Sequence, residues 1–160
     1  MSAGEEQGLV VTLTSGVFAV PIAQVDEILR MVEITPLPGA PSSCLGVIDV
    51  RQQLMPVLEL SAWLGGERTP RGPESALLIA HLEGRVVAFA IDEASQVVPL
   101  PLLAPLAGVS GSPWLKGSFV LGDLPCSVVD LGALVASADA AGLEQAQLRW
   151  AAAVARQRSA

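Results

Sequence analysis

At 160 residues the chain has room for one ordinary domain, or for two small halves around one core. Its 51% hydrophobic and 16% charged composition excludes a disordered segment, and 15 glycines and 12 prolines among short apolar runs argue for strands and turns over a helical bundle. Sixteen acidic against nine basic residues give a formal charge of −7, which excludes the usual nucleic-acid or anionic-membrane binder.

Residues 1–7 read as a flexible tail, with Glu5 and Glu6 where an export signal would carry positive charge before an apolar stretch. Leu9–Thr14 and Val17–Pro21 around Ser15-Gly16 predict a hairpin. Ile22, Val25, Ile28 and Leu29 share one helical face, so Ile22–Arg30 is expected to be a short helix or helical turn. Pro36, Pro38 and Pro41 force the next stretch to be extended. Leu45–Val50 and Leu54–Leu58 predict strands joined by the polar turn Arg51-Gln52-Gln53, and Leu60–Leu64 a helical turn stopped by Gly65-Gly66. Residues 66–74 read as a linker. Strands are expected at Ala76–Leu82 and Arg85–Ile91 about Glu83-Gly84, extended segments at Ser95–Leu100 and in parts of 101–109, and a loop at Gly111-Ser112-Pro113. Leu115–Leu121 and Leu124–Val129 predict a last hairpin over Gly122-Asp123. Beyond Asp139 the pattern turns helical to about Arg158, with Leu143, Trp150 and Val154 on one stripe. The longest uncharged run, 94–115, carries Pro99, Pro101, Pro105 and Pro113 and reads as no membrane helix.

The two halves are alike. A shift of 69 lays Val10, Leu13, Phe18, Val20 and Ile22 on Ile79, Leu82, Val87, Phe89 and Ile91; a shift of 71 lays Gly46, Val57, Leu60 and Ala62 on the identical Gly117, Val128, Leu131 and Ala133. The order of elements repeats with them, which points to an internal duplication. Five short strands per half close best as a small barrel, because closure removes exposed edges. The expected fold is therefore all-β with short helices: one barrel over about 8–66, a second over about 75–136, with crossing of the chain between them left open, and a C-terminal helix over 137–160. Residues 1–148 hold six basic and all sixteen acidic residues, a net of −10, while Arg149, Arg156 and Arg158 make the last twelve residues basic.

Catalytic chemistry finds little support. The single His81 has no nucleophile or carboxylate near it in sequence. Cys44 and Cys126 lack paired metal-ligand spacing and read as reduced thiols of a cytoplasmic protein. Asp49, Glu59, Asp92 and Asp130 sit at strand ends, where carboxylates satisfy turn amides or face water. No phosphate loop, dinucleotide motif or nucleophile elbow is present, so no catalytic residue, metal or cofactor is expected. A small β-barrel enzyme using Asp49, Glu59 or Asp130 is the competing reading from another class. A duplicated acidic β domain of this kind is expected to work by binding other proteins.

The run Leu45-Gly46-Val47-Ile48-Asp49-Val50-Arg51 followed by Leu54-Met55-Pro56-Val57-Leu58-Glu59-Leu60 resembles the signature of CheW, the adaptor of bacterial chemosensory arrays. Phe18–Ile22, Val25-Asp26-Glu27-Ile28, Thr35-Pro36-Leu37-Pro38, Ala90–Glu93 with Val97–Leu100, and Gly117–Leu134 are similar to further segments of that family, so the resemblance spans about 8–136. It implies two SH3-like five-stranded barrels around a shared core and no catalytic activity. It also implies partners: methyl-accepting chemoreceptors, at their cytoplasmic tip, the CheW-like regulatory domain of a CheA-type histidine kinase, and other CheW-like proteins in arrays, with a cytoplasmic protein recruited to membrane-associated receptors. Arg51 matches the family's arginine and Glu27 the acid of its V-x-E-I turn, so these two, with Val25, Gly46 and Gln52, are the expected protein-binding residues. Gln52 stands where the family has glycine, a departure that bears on the turn or on its partner contact. A detached piece of a larger kinase is disfavoured by the start at Met1 and the lack of a kinase motif.

Overall fold

A computed structural model describes residues 6–66, 75–104 and 112–159. The linker read at 66–74 and the extended stretch read beyond Ala104 therefore fall almost wholly outside the described residues. Among the described residues ten strands run in chain order: β1 (Gln7–Leu13), β2 (Gly16–Pro21), β3 (Val25–Arg30), β4 (Cys44–Val50), β5 (Gln53–Glu59), β6 (Ala76–Leu82), β7 (Arg85–Ile91), β8 (Glu93–Pro99), β9 (Leu115–Leu121) and β10 (Leu124–Val129). The helices among these residues are α1 (Ser61–Leu64), α2 (Leu131–Ala140) and α3 (Leu143–Ser159), with a 3-10 turn at Ile22–Gln24.

The sheets do not follow the halves of the sequence. The first sheet has strand order β8-β1-β2-β10-β9 and the second β3-β6-β7-β5-β4. Each takes a leading hairpin from one half and a single strand plus closing hairpin from the other. The joins are short parallel pairs, Val17–Ala19 beside Cys126–Val128 and Val57–Glu59 beside Ala88–Ala90. The crossing of the chain is thus complete, and the boundary near 66–75 divides the repeat, not the barrels.

The repeat itself is carried into the hydrogen bonds. Beyond β3, Thr35 pairs with Val47 on β4; beyond β8, Ala104 pairs with Ser118 on β9. These two bridges join the outer strands of each sheet and close it as a small barrel. Glu59 N–H donates to Ser43 O and Asp130 N–H to Trp114 O, both at 2.8 Å, at positions related by the same shift of 71. Three of the four repeated identities are places the fold constrains. Val57 and Val128 lie in the parallel joins, and Leu60 and Leu131 are fully buried. Gly46 and Gly117 both have φ +148 at the closing bridges, where a Cβ would fall 2.1 Å from Thr35 O and 2.8 Å from the Leu103 Cβ respectively. No side chain fits at either position.

Strand alternation separates two kinds of interior. On β6 and β7, Leu78, Ala80, Val87, Phe89 and Ile91 face a core shared with Leu9, Val11, Leu13, Phe18 and Val20 of the first sheet. Their neighbours Leu77, Ile79, Ala88 and Ala90 face the lumen of the second barrel with Ile48, Met55 and Val57. The lumen of the first barrel is smaller, filled by Ala19, Cys126 and Val128. Helices α2 and α3 close the shared core with Leu131, Leu134, Val135, Ala138, Leu143 and Ala146.

Four expectations are corrected. Only Ile22–Gln24 of the expected helix 22–30 is helical; Val25–Arg30 is a strand, because pairing with β6 outweighs a weak local period. The tail ends before Gln7, which already pairs with Pro99. Strand β4 opens at Cys44, one residue before the expected Leu45. The C-terminal helix is two helices, the first beginning at Leu131, because Gly142 takes φ +107 between them.

Candidate protein-interaction surface

Arg51 and Gln52 form the two-residue turn between β4 and β5, with φ of +50 and +68. Positive φ at both corners is the geometry that matches the twist of a tight hairpin. Gln52, standing where the family has glycine, is therefore held in the left-handed region, which strains an L-residue. The turn lifts the Arg51 side chain clear of the barrel, 69% exposed.

Glu27 sits on β3, at the opposite edge of the same sheet. Closure by the Thr35–Val47 bridge brings the two edges together, and Arg51 Nη2 donates to Glu27 Oε1 across the seam. The carboxylate's hydrogen bond, with its charge and that of Asp26, holds the guanidinium even more firmly protonated than usual. Glu27 is 28% exposed, so one side of the pair is anchored and the other is open to solvent. The guanidinium still has donors facing outward, in a planar fork suited to carboxylates and carbonyls.

The expected site residues divide accordingly. Arg51, Glu27 and the exposed Gln52 come together at one corner of the second barrel. Gly46 and Val25 do not join them. Gly46 is buried at the closing bridge, and Val25 is half-buried against the shared core beside a bulge in β3. Gly46 serves the seam, and Val25 the shared core.

The other candidates are held by the fold. Asp130 caps α2, accepting from Gly132 N–H at 3.0 Å and Ala133 N–H at 3.4 Å. Gln24 donates to the same Asp130 oxygen and accepts from Leu131 N–H, each at 2.9 Å. Glu59 is buried at the end of β5 and accepts from the Ser61 hydroxyl at 3.1 Å. Burial pushes the Cys126 thiol up to about 11 and raises that of Cys44, whose shift is partly offset by hydrogen bonding with the backbone of Gly46 and Val57. Among the described residues no three His, Cys, Asp or Glu side chains gather to hold a metal ion, and no helix is long and apolar enough to cross a membrane.

The family profile of the CheW-like domain matches residues 7–139, which takes in both barrels, the seam and α2. The chain belongs to the CheW-like domain family. The chemotaxis protein CheW of Rhizobium meliloti (strain 1021) is 33% identical over 81 residues, covering 51% of this chain and 52% of that protein. Protein PilI of Pseudomonas aeruginosa is 33% identical over 113 residues, covering 64% and 60%, and Protein FrzA of Myxococcus xanthus is 31% identical over 102 residues, covering 61% and 64%. The chain thus spans between half and two thirds of the length of these curated relatives. The crystal structure of scaffolding protein TtCheW from Thermoanaerobacter tengcongensis superposes with a TM-score of 0.73 at 21% identity, covering 81% of this chain and 87% of that one, a likeness of fold.

This CheW-like domain carries two features the sequence reading passed over. One is Gln24, which ties the first half to the N-terminus of α2; a glutamine in a three-residue turn gives no sequence signal of its reach. The other is the position of α3. Its Trp150 lines a groove with Leu29, Val32, Val50, Arg51 and Leu54, so the C-terminal helix borders the Arg51 corner. The apolar stripe of α3 was legible; the surface it meets was not.

Proposed function

We propose that this CheW-like protein is a non-catalytic adaptor that couples methyl-accepting chemoreceptors to a CheA-type histidine kinase, in the cytoplasm and recruited to membrane-associated receptor arrays. The kinase contact is through its CheW-like regulatory domain, the receptor contact at its cytoplasmic tip, with other CheW-like proteins as further neighbours in the array. The observation that carries this reading is the Arg51–Glu27 pair, an anchored and outward-facing charged fork at the tip of a strained hairpin in a domain of the adaptor family. A charge held in place by its own partner side chain loses little freedom when a second partner arrives.

The test is the kinase regulatory domain and receptor cytoplasmic fragment from the same genome, titrated calorimetrically into the wild type and Arg51→Ala. The variant is expected to keep its melting midpoint to within about 2–4 °C, since an exposed ion pair contributes little to folding. Its affinity for one or both partners is expected to fall about ten-fold or more, as for a charged interface anchor. Arg51→Lys should rescue in part, because an ammonium lacks the fork. Unchanged binding of both partners by folded Arg51→Ala protein would sink the reading.

A second reading is an adaptor of a specialised, non-flagellar pathway that engages only receptor or only kinase. It is favoured by the matches to PilI and FrzA, which extend over 64% and 61% of the chain against 51% for CheW of R. meliloti. The same titrations decide it: wild-type binding to one fragment and not to the other.

A further inference from the structure

Helix α3 lies beyond residues 7–139 matched by the family profile. Its first half is fastened down. Leu143 and Ala146 are fully buried. Arg85, at the start of β7, donates to Asp139 Oδ2 at 2.5 Å and to Gln147 Oε1 at 2.7 Å, clamping α2 and α3 to the second sheet. Past Gln147 the helix leaves the core: Leu148 and Ala151–Ala153 are exposed. Trp150 and Val154 stay half-buried, and Trp150 forms one wall of a groove of about 720 Å³ whose other wall is the seam.

That groove has an apolar floor and an acidic rim. Leu29 and Val50 are half-buried in it, while Val32 and Leu54 remain 47% and 42% exposed. Glu33 and Asp49 stand exposed on its rim. The only cation lining it among the described residues, Arg51, is already engaged by Glu27, with Asp26 close by. Strand addition at the bridge is closed off, because Thr35 and Val47 use each other's N–H and C=O groups there. What remains is docking by side chains, the mode in which an amphipathic helix lays an apolar stripe into a groove. Negative rim charge selects lysine or arginine beside that stripe.

We infer that α3 and the barrel seam form one composite groove, anchored by Trp150, which takes a partner helix whose apolar stripe is flanked by basic residues. The inference rests on the adaptor reading and extends its docking surface from the Arg51 corner onto α3. It is tested with the same kinase and receptor fragments. Trp150→Ala should weaken at least one of them about five-fold or more, and Trp150→Phe should recover most of that. Leu54→Ser, on the opposite wall, should act likewise without touching α3, which covers the case in which Trp150→Ala disturbs the helix. The double reversal Glu33→Lys, Asp49→Lys should weaken the same partner, with an effect that shrinks as salt rises. If Arg51→Ala weakens binding while Trp150→Ala, Leu54→Ser and the double reversal all stay within about two-fold, the composite groove is wrong and the adaptor reading stands. Loss on Trp150→Ala and Leu54→Ser without loss on the double reversal overturns the basic character of the occupant. Full binding by Arg51→Ala and Trp150→Ala alike overturns both.

Discussion

Arg51 and Gln52 occupy a turn that asparagine and glycine fill with less strain. Holding an L-residue in the left-handed region costs about 1–2 kcal/mol, whereas a glycine there adds about 0.4–1 kcal/mol of freedom to the unfolded chain. The first effect is larger, so Gln52→Gly is expected to raise stability by about 0.5–1 kcal/mol in urea denaturation. A barrel closed elsewhere by Thr35 and Val47 can hold the strained turn in place. Gly46, expected among the protein-binding residues, is buried at the closing bridge, and only the approach of Thr35 O reveals why no side chain fits there. Cys126 gives a pH test. Its thiol titrates near 11 in the fold and near 9 in the open chain, so it stabilises the native state below about pH 9. Between about pH 9 and 11 the unfolded chain loses the proton first, and stability should fall. The chain has no tyrosine and one lysine, the exposed Lys116, so few other groups mask the effect. Cys126→Ala should flatten most of the decline in denaturation midpoints measured across that window, with the remainder from Cys44.

Among the elements, the strongly patterned hairpins were legible and the marginal ones were not. Strands β6, β7, β9 and β10 begin and end where their apolar runs and turn residues place them. Strand β3 was hidden because Ile22, Val25, Ile28 and Leu29 also fit a helical face. Its burial in fact alternates residue by residue, with Ile28 turned to solvent, and that alternation is imposed by β6. The end of the chain was read as one helix because alanine, leucine and glutamine favour helix throughout, and a lone glycine at 142 marks the break only once α2 has a cap at Asp130. The two halves of α3 should respond differently to truncation. Leu143→Ala removes a fully buried side chain from the shared core and should cost about 2–4 kcal/mol. Leu148→Ala, 65% exposed, should change stability by less than about 0.5 kcal/mol. Equal losses in chemical denaturation would mean that α3 is held along its whole length.

At the scale of the molecule, the duplication could be read from the sequence, yet the exchange of strands could not. Alternation tells which side of a strand is apolar, and repeats tell that two units exist, but neither names a pairing partner a hundred residues away, such as Phe18 beside Ser127. The exchange has a measurable outcome. A fragment of residues 1–70 contains β1 and β2 of one sheet and β3, β4 and β5 of the other, two incomplete sheets with nothing between them. Separately expressed 1–70 and 71–160 should each lack a cooperative melting transition, while the intact chain should show a single one by calorimetry. Two resolved transitions in the intact chain would contradict a shared core.

The strand orders also set a timetable for synthesis on the ribosome. Every strand of the second sheet has been made once Ile91 emerges, so the barrel bearing Arg51 can close while translation continues. The first sheet is nested around it in chain order. Its opening hairpin, β1 and β2, is translated first and must wait for β10, whose last residue is Val129. During that interval β2 lacks its β10 partner and Ala19 has neither Cys126 nor Val128 to pack on, so this edge is what a nascent-chain chaperone would meet. The barrel bearing Arg51 is thus the first whose strands are all available, and the sheet of the N-terminal hairpin, although that hairpin leaves the tunnel first, is the last to be complete.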